Sequence, residues 1–172
     1  VTTSRGPAIY RHRRIGRNGS HFECLKFRTM SEDADQLLAE LLEESDDVRA
    51  EFQETQKLQD DPRVTSIGRF LRRFSLDELP QFWNILRGDM SVVGPRPIVD
   101  EERPKYGGGL PVVLSVRPGL TGLWQVSGRN DLSYEQRVRL DRHYVLNRTF
   151  FGDLRIILKT VLVMFKKDNG AY

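Results

Sequence analysis

The chain has 172 residues, of which 27 are basic and 24 acidic, so its net charge is only +3. This length suits one domain with its own hydrophobic core, and the single cysteine, Cys24, excludes an internal disulfide. Three histidines disfavour a serine–histidine–aspartate hydrolase, and no apolar run approaches the roughly 20 residues of a membrane-spanning helix. The chain begins basic and is acidic over 32–61, which is typical of a protein that handles anions at one face; a solvated basic surface is the alternative.

The first predicted elements are two strands, 8–16 and 22–27, joined by a turn that contains glycine. Alternation along the second strand sends Lys26 and Arg28 to the same face. Two cations on one strand face can grip a diphosphate, and a charged face turned to solvent explains the same pattern.

Two helices are predicted next. The first covers 31–56, with Ser31 as its cap and apolar residues at helical spacing opposite an acidic face, which indicates a scaffold or an interaction surface. The second covers 65–73 and is capped by Thr65. The side chains predicted to turn inward from this second helix are Ile67, Phe70 and Leu71.

The stretch 75–81, Ser-Leu-Asp-Glu-Leu-Pro-Gln, is central to the prediction. Ser75 followed three residues later by Glu78 matches a capping box, so a helix begins here; if the regular helix starts at Pro80 instead, Asp77 lies in a lead-in turn. In both registers the two carboxylates lie near a helix N-terminus, where negative charge is favoured. They either complement the helix dipole or do chemistry, with Asp77 attacking phosphorus and Glu78 holding a divalent cation.

The next signals are a helix stop at Gly88, a short strand at 90–93 and the turn Gly-Pro-Arg-Pro at 94–97. Prolines on both sides of Arg96 restrict its backbone and present its guanidinium rigidly, which suits bidentate recognition of phosphate or carboxylate. A proline-bounded turn with a solvated arginine is the simpler alternative. Further along, the patterns predict a loop at 100–111, a strand at 112–116 and a core position for Trp124.

The C-terminal part is predicted to be helical. Ser133 and Gln136 match a second capping box, which opens a helix to about Leu146. The last helix, 153–165, is amphipathic and basic, so it either packs against the domain or lies on a membrane surface. The chain is therefore assigned to the α+β class, as a helix-rich mixed domain with a few short, mostly antiparallel strands.

Five sequence blocks occur in one order along the chain. They are Lys-Phe-Arg-Thr-Met at 26–30, Asp-Pro-Arg-Val-Thr at 61–65, Leu-Arg-Arg-Phe-Ser-Leu-Asp-Glu-Leu-Pro-Gln at 71–81, Gly-Asp-Met-Ser-Val-Val-Gly-Pro-Arg-Pro at 88–97 and Arg-Pro-Gly-Leu-Thr-Gly-Leu-Trp-Gln-Val-Ser-Gly-Arg-Asn-Asp at 117–131. Together they resemble the bacterial sugar transferase family, the monotopic phosphoglycosyl transferases, over nearly the whole chain. Five ordered blocks are far more specific than any one of them.

The resemblance implies an enzyme that transfers a sugar-1-phosphate from a UDP-sugar to polyprenol phosphate (undecaprenyl phosphate) and releases UMP. The reaction would start exopolysaccharide, capsule or O-antigen synthesis at the cytoplasmic face of the bacterial inner membrane. By the same resemblance, Asp77 would form an aspartyl phosphosugar, Glu78 would bind Mg2+, and Lys26, Arg72 and Arg96 would hold phosphate charge. The nucleotide-binding residues that it implies are Pro95, Arg96 and Pro97.

Members of this family carry an N-terminal hydrophobic helix that re-enters the membrane. The chain is therefore expected to be a fragment, a single catalytic domain over 1–172 that binds its lipid substrate poorly. The sugar and the oligomeric state stay open, a homo-oligomer included. A second hypothesis is a non-catalytic assembly partner that binds anionic lipid at the membrane surface. No nucleic-acid partner is expected, because aromatic and basic residues are sparsely interleaved.

Overall fold

The computed structural model describes residues 6–55, 58, 61–128 and 132–164. Within them the chain forms α-helices, short 3-10 turns and short strands, which confirms the helix-rich α+β class. The helices are α1 (Ala34–Glu44), α2 (Asp46–Thr55), α3 (Ser66–Arg73), α4 (Gln81–Arg87), α5 (Arg103–Tyr106), α6 (Leu110–Leu114), α7 (Tyr134–Asn147) and α8 (Phe150–Met164). The strands are β1 (Ile9–Ile15), β2 (His21–Phe27), β3 (Ser91–Val93) and β4 (Gly119–Thr121).

The described residues group into two compact units. The first unit takes its described residues from 6–10 and 27–77, and the second from 11–26 and 78–164. β1 pairs with β2, which confirms the predicted strand pair near the start of the chain, and β3 pairs with β4 in parallel.

The first unit contains two helices where one was predicted over 31–56. Ser45 separates α1 from α2, with an extended backbone at φ −139° and ψ 119°. Its hydroxyl accepts a hydrogen bond from the Val48 N–H at 3.3 Å, so Ser45 serves as the N-terminal cap of α2. The predicted cap at Ser31 is also wrong, because Asp33 occupies the cap position of α1. Apolar spacing continues across such a break and hides it from a periodicity argument.

Helix α3 begins as predicted but faces differently. The Thr65 hydroxyl accepts a hydrogen bond from the Gly68 N–H at 2.9 Å, which confirms the cap. Ile67 and Phe70, predicted to point inward, are 43% and 56% exposed. The buried residue of α3 is Gly68, where a methyl group would overlap the carbonyl of Thr29. This helix therefore approaches its neighbour with its backbone, and its apolar side chains remain outside.

Helix α4 has a polar side turned inward. Gln81 and Asn84 are 3% and 0% exposed, and Gly88 ends the helix at φ 82°, as predicted. The large apolar side chains in and just before α4 are exposed instead; they are Leu79, Phe82, Trp83 and Leu86.

The main apolar cluster of the second unit joins several elements that are distant in sequence. Its buried members are Ile15, Ile98, Tyr106, Val113 and Val138. The predicted strand at 112–116 is wrong, since Val113 belongs to α6, which carries a proline in its first turn. The predicted loop at 100–111 is also wrong and contains α5 with 3-10 turns on either side. Trp124 is 8% exposed, as predicted for a core residue.

A buried carboxyl group lies beside this cluster. Asp141 is 0% exposed, and its Oδ2 accepts a hydrogen bond from the Tyr106 hydroxyl at 3.2 Å. Its Oδ1 has no hydrogen-bond partner among the described residues. Burial raises the pKa of Asp141 to about 7, although the Tyr106 hydrogen bond and Arg96 act in the opposite direction.

The parallel pair β3–β4 fixes the turn that precedes Arg96. Gly119 N–H donates to the Pro95 carbonyl at 2.8 Å, and Gly94 N–H donates to the Thr121 carbonyl at 2.9 Å. The two backbones approach so closely that a methyl group on Gly119 would overlap the backbone nitrogen of Gly94. Glycine is required here by close backbone approach.

We therefore expect Gly119→Ala to lower the free energy of unfolding by about 1–3 kcal/mol, the usual range for overpacking. Gly108→Ala is the matched control, because nothing lies within 4 Å of the added methyl group at Gly108. Urea denaturation of the two variants and the parent protein measures the difference. Equal stability of the two variants would show that β3 and β4 separate at little cost.

Residues 148–149 connect the last two helices along the chain. The Ser133–Gln136 capping box is confirmed by hydrogen bonds of 2.8 and 3.3 Å. Helix α8 begins at Phe150, before the predicted 153, because the Thr149 hydroxyl accepts from the Gly152 N–H at 3.0 Å. Of the described helices, none is long and apolar enough to cross a membrane. The exposed apolar side chains of α8 are Phe150, Phe151, Leu154, Leu158, Val161 and Leu162.

Candidate active site

The two adjacent carboxylates lie in a single 3-10 turn, Leu76–Glu78, ahead of α4. Ser75 has φ 53°, in the left-handed region, and does not adopt the extended backbone of a helix cap. Of the two registers considered, the lead-in turn is therefore the observed one. Asp77 ends the first unit along the chain, and Glu78 begins the next segment of the second unit.

Asp77 lies in the electric field of Arg72 within the first unit. It is 9% exposed, and its negative charge raises the pKa of Arg72, while burial lowers that pKa more strongly. Arg72 is held from the last turn of α3 by a hydrogen bond from Nε to the Thr29 hydroxyl at 3.0 Å. The Thr29 carbonyl in turn accepts from the Thr65 N–H at 3.0 Å. The cap of α3 and the cation beside Asp77 therefore depend on one residue, Thr29.

The block at 61–65 has a structural role. Arg63 forms two hydrogen bonds with the Asp61 carboxylate, at 2.8 and 2.7 Å, and both side chains are 8% exposed. Burial works to raise the pKa of Asp61, but these bonds and the charge of Arg63 hold it below its ordinary value. Asp61 also places a second negative charge near Arg72. The pair thus supports the surroundings of Arg72.

Glu78 forms a close ion pair in the second unit. Its Oε1 accepts a hydrogen bond from the Lys26 ammonium at 2.7 Å, with both side chains about one-third exposed. Burial works to raise the pKa of Glu78, but Lys26, Arg96 and a hydrogen bond from Gln81 lower it below its ordinary value. Glu78 is therefore ionised at neutral pH.

Asn84 of α4 joins β2, which carries Lys26, to the helix that follows Glu78. Its side-chain carbonyl accepts from the Leu25 N–H at 3.0 Å, and its amide donates to the Glu23 carbonyl at 2.7 Å. This single buried side chain therefore ties α4 to β2 on both sides of Cys24. Spacing alone pointed to none of this, because Asn84 lies about sixty residues from its partners.

Arg96 is oriented by a carboxylate that the sequence motifs did not single out. Its Nη1 donates to Glu102 Oε1 at 3.0 Å, while Glu102 Oε2 accepts from the Val99 N–H and lies 3.6 Å from Arg14. Burial works to lower the pKa of Arg96, but Glu102 raises it above its ordinary value. Arg14 also donates to the Pro97 carbonyl at 3.1 Å. Glu102 and Arg14 therefore hold the predicted rigid turn at Arg96 in place.

The histidines and the cysteine do not suggest catalysis. Burial, together with Arg14, Lys26 and Arg96, lowers the pKa of His12 to about 4, so it is neutral at pH 7. His21 bonds to Asp100 at 2.8 Å, and Cys24 is buried. No group of three or more histidine, cysteine or acidic side chains able to hold a metal is found in the described part of the chain.

The predicted Mg2+ ligand passes a chemical test of fit. Mg2+ in phosphate-transfer sites often uses one or two carboxylates and completes its coordination with water and substrate phosphate oxygens. Glu78 is a single ionised carboxylate, partly exposed, and the local field keeps it charged. It suits a cation that arrives with a diphosphate better than one held by the protein alone.

The predicted site residues thus fall into two groups. In the second unit, Lys26 and Arg96 both lower the pKa of Glu78. In the first unit, Arg72 interacts electrostatically with Asp77. The supporting residues that the sequence analysis missed are Arg14, Thr29, Gln81, Asn84 and Glu102. Thr29 and Gln81 lay inside recognised blocks, at 26–30 and 71–81, and were the two with a sequence signal.

Known proteins and a family model match this chain over most or all of its length. A family model described as bacterial sugar transferase matches residues 1–167. The chain is 51% identical over 172 residues to the undecaprenyl-phosphate galactose phosphotransferase of Salmonella typhimurium, covering 100% of this chain and 36% of that protein. It is 54% identical over 156 residues to the exopolysaccharide production protein ExoY of Sinorhizobium fredii, covering 91% of this chain and 69% of that protein.

A third relative carries a different sugar in its name. The chain is 39% identical over 175 residues to the UDP-glucose:undecaprenyl-phosphate glucose-1-phosphate transferase of Caulobacter vibrioides, covering 97% of this chain and 60% of that protein. Measured against the Salmonella protein, the chain spans only 36% of its relative's length.

Proposed function

Because the chain belongs to the bacterial sugar transferase family, we propose that it is the catalytic part of a phosphoglycosyl transferase. Its substrates are a UDP-sugar and a polyprenol phosphate, its product is a polyprenyl diphosphate sugar, and UMP leaves. The names of the Salmonella and Caulobacter relatives support this substrate pair. The observation that carries the proposal is the adjacent pair Asp77 and Glu78, each carboxylate in the field of a predicted phosphate-binding cation.

In the proposed first step, a carboxylate oxygen of Asp77 attacks the β-phosphorus of the UDP-sugar. The new O–P bond forms as the bond to the bridging oxygen breaks, and UMP departs with that electron pair. The sugar phosphate stays on Asp77 as an acyl phosphate. In the second step, a phosphate oxygen of the polyprenol phosphate attacks the same phosphorus and frees the Asp77 carboxylate. Covalent catalysis of this kind divides one transfer into two easier steps.

The neighbouring charges have separate tasks in this scheme. Arg72 places a positive charge beside Asp77, where the attacking carboxylate meets the diphosphate. Lys26 and Arg96 neutralise charge on the diphosphate, which is the main demand of phosphoryl transfer on a protein. Glu78 would hold Mg2+, which when bound supplies further neutralisation of phosphate charge. Glu102 and Arg14 keep the Arg96 guanidinium in place.

The membrane is the proposed place of this reaction, at its cytoplasmic face, because the acceptor lipid resides there. The exposed apolar side chains of α4 and α8 support contact with a membrane surface. They would serve a non-catalytic assembly partner equally well, so the covalent step is what separates the two hypotheses.

Intact-protein mass spectrometry after exposure to a panel of UDP-sugars tests the proposal. We expect one UDP-sugar to add the mass of its sugar phosphate, and polyprenol phosphate to remove that mass. UDP without a sugar is the control and leaves the mass unchanged. An adduct that persists in Asp77→Asn, or that peptide mapping places elsewhere, would refute the assignment.

A further inference from the structure

A cleft in the second unit, lined by none of the residues assigned to the reaction, contains three arginines. It has a volume of about 530 Å3 and is open to solvent. Arg17 follows β1, Arg117 precedes β4, and Arg148 lies between α7 and α8. The volume lies in the range of sites for small ligands, so the cleft has room for a phosphate and an attached group.

The three guanidinium groups are available for a ligand. None of them forms a salt bridge with any residue that the structure describes. Arg17 is anchored through Nε, which donates to the Ser115 carbonyl at 3.2 Å. The anchored Arg17 can therefore present its two terminal nitrogens to the cleft, in the fork geometry that matches phosphate oxygens.

The remaining polar groups leave the cleft positive. Asp153 is the acidic side chain among its lining residues, and its Oδ1 accepts a hydrogen bond from the Tyr144 hydroxyl at 2.9 Å. Three arginines against one aspartate give a net charge of +2. The Thr149 hydroxyl, which accepts from the Gly152 N–H, keeps its own proton to donate. The N-terminal end of α8 adds the positive end of a helix dipole.

The cleft is continuous with an apolar surface. Phe150 lines it and is 77% exposed, and the next residue, Phe151, is 79% exposed. From these the exposed apolar side chains of α8 continue to Leu162. A ligand that combines a phosphate with a hydrocarbon chain would place its charge among the arginines and its chain along α8.

We propose that this cleft binds the phosphodiester headgroup of an anionic glycerophospholipid. The site is separate from the residues assigned to sugar-phosphate transfer and does not rest on that assignment. It would dock the second unit on anionic lipid in a fixed orientation, since three arginines around one phosphate restrict rotation more than a diffuse basic surface does.

Two binding measurements test this proposal, flotation of the protein with vesicles and titration of the protein with a soluble phosphate ester. The probes are phosphatidylcholine vesicles with and without phosphatidylglycerol, and soluble glycerol 1-phosphate. We expect Arg117→Gln/Arg148→Gln to weaken binding to phosphatidylglycerol vesicles at least about tenfold, since each arginine removed takes away a charge-assisted hydrogen-bonding group. The matched control is Arg13→Gln/Arg139→Gln, which makes the same change in net charge at exposed positions outside the cleft.

The outcomes are distinct. Retained binding by the control with loss by the cleft variant supports the proposal. Equal loss in both variants would show a diffuse charge effect and overturn it, as would unchanged binding by the cleft variant. If the cleft substitutions weaken glycerol 1-phosphate binding but leave vesicle binding intact, the ligand is a soluble phosphate ester and the lipid assignment is wrong. Thermal unfolding of each variant, compared with the parent protein, checks that its fold is retained.

Discussion

Replacement of Asp77 by asparagine is expected to lower UMP release at least about a thousandfold, the scale seen when a covalent nucleophile is removed. An amide has nearly the same shape as the carboxylate but lacks the anionic oxygen that attacks phosphorus. Arg72 retains Asp61 as a negative neighbour, so the surroundings of residue 77 keep a counter-charge. The loss should therefore fall on the chemical step.

The measurement is UMP release from a UDP-sugar and polyprenol phosphate by the full-length protein in membranes. Asp35→Asn, at an exposed position in the first turn of α1, is the matched control and should leave the rate unchanged. Thermal unfolding of both variants separates a catalytic loss from a loss of folded protein. A rate within about tenfold of the parent in Asp77→Asn is far above what loss of a nucleophile allows and would remove Asp77 from that role.

The second large effect is expected at Asp141, on stability. Burial raises its pKa from an ordinary 3.8 to about 7. Between about pH 4 and 7 the folded protein therefore binds a proton that the unfolded chain has released, and the free energy of unfolding falls as the pH rises. A shift of about three pKa units lowers the free energy of unfolding by about 4 kcal/mol, and this loss is complete above pH 7.

Asp141→Asn removes this titration. We expect the stability of the variant, relative to the parent, to rise by about 1.4 kcal/mol per pH unit between pH 4 and 7 and then to level off. Urea denaturation at a series of pH values measures the difference. Asp35→Asn, with the same chemical change at an exposed site, is the control for the substitution itself. A constant difference for Asp141→Asn would mean that this carboxyl group titrates normally.

The sequence predicted local features of the fold well and long-range ones poorly. The Thr65 cap, the Gly88 stop and the Ser133–Gln136 box depend on residues within one helical turn, and the structure contains all three. The helix around Val113 was mistaken for a strand, because its β-branched residues favour strands and only tertiary packing favours the helix there.

The candidate site shows the same division. The motifs singled out Asp77, Glu78 and Arg96, whose roles remain predictions, but they gave no indication of Glu102 or Asn84. Glu102 meets Arg14 across the fold, and Asn84 meets β2 from about sixty residues away along the chain. A pairing of this kind depends on how distant segments pack, and no spacing rule within one sequence contains that information.

The amide of Asn84 also protects an open flank of β2. It supplies one acceptor and one donor to the backbone at Leu25 and Glu23, much as a neighbouring strand would. Those two backbone groups are thereby withheld from any extended segment of another polypeptide that might add itself to the sheet. If water filled the place of the Asn84 side chain, the same edge of β2 would be open to pairing with a strand of another molecule.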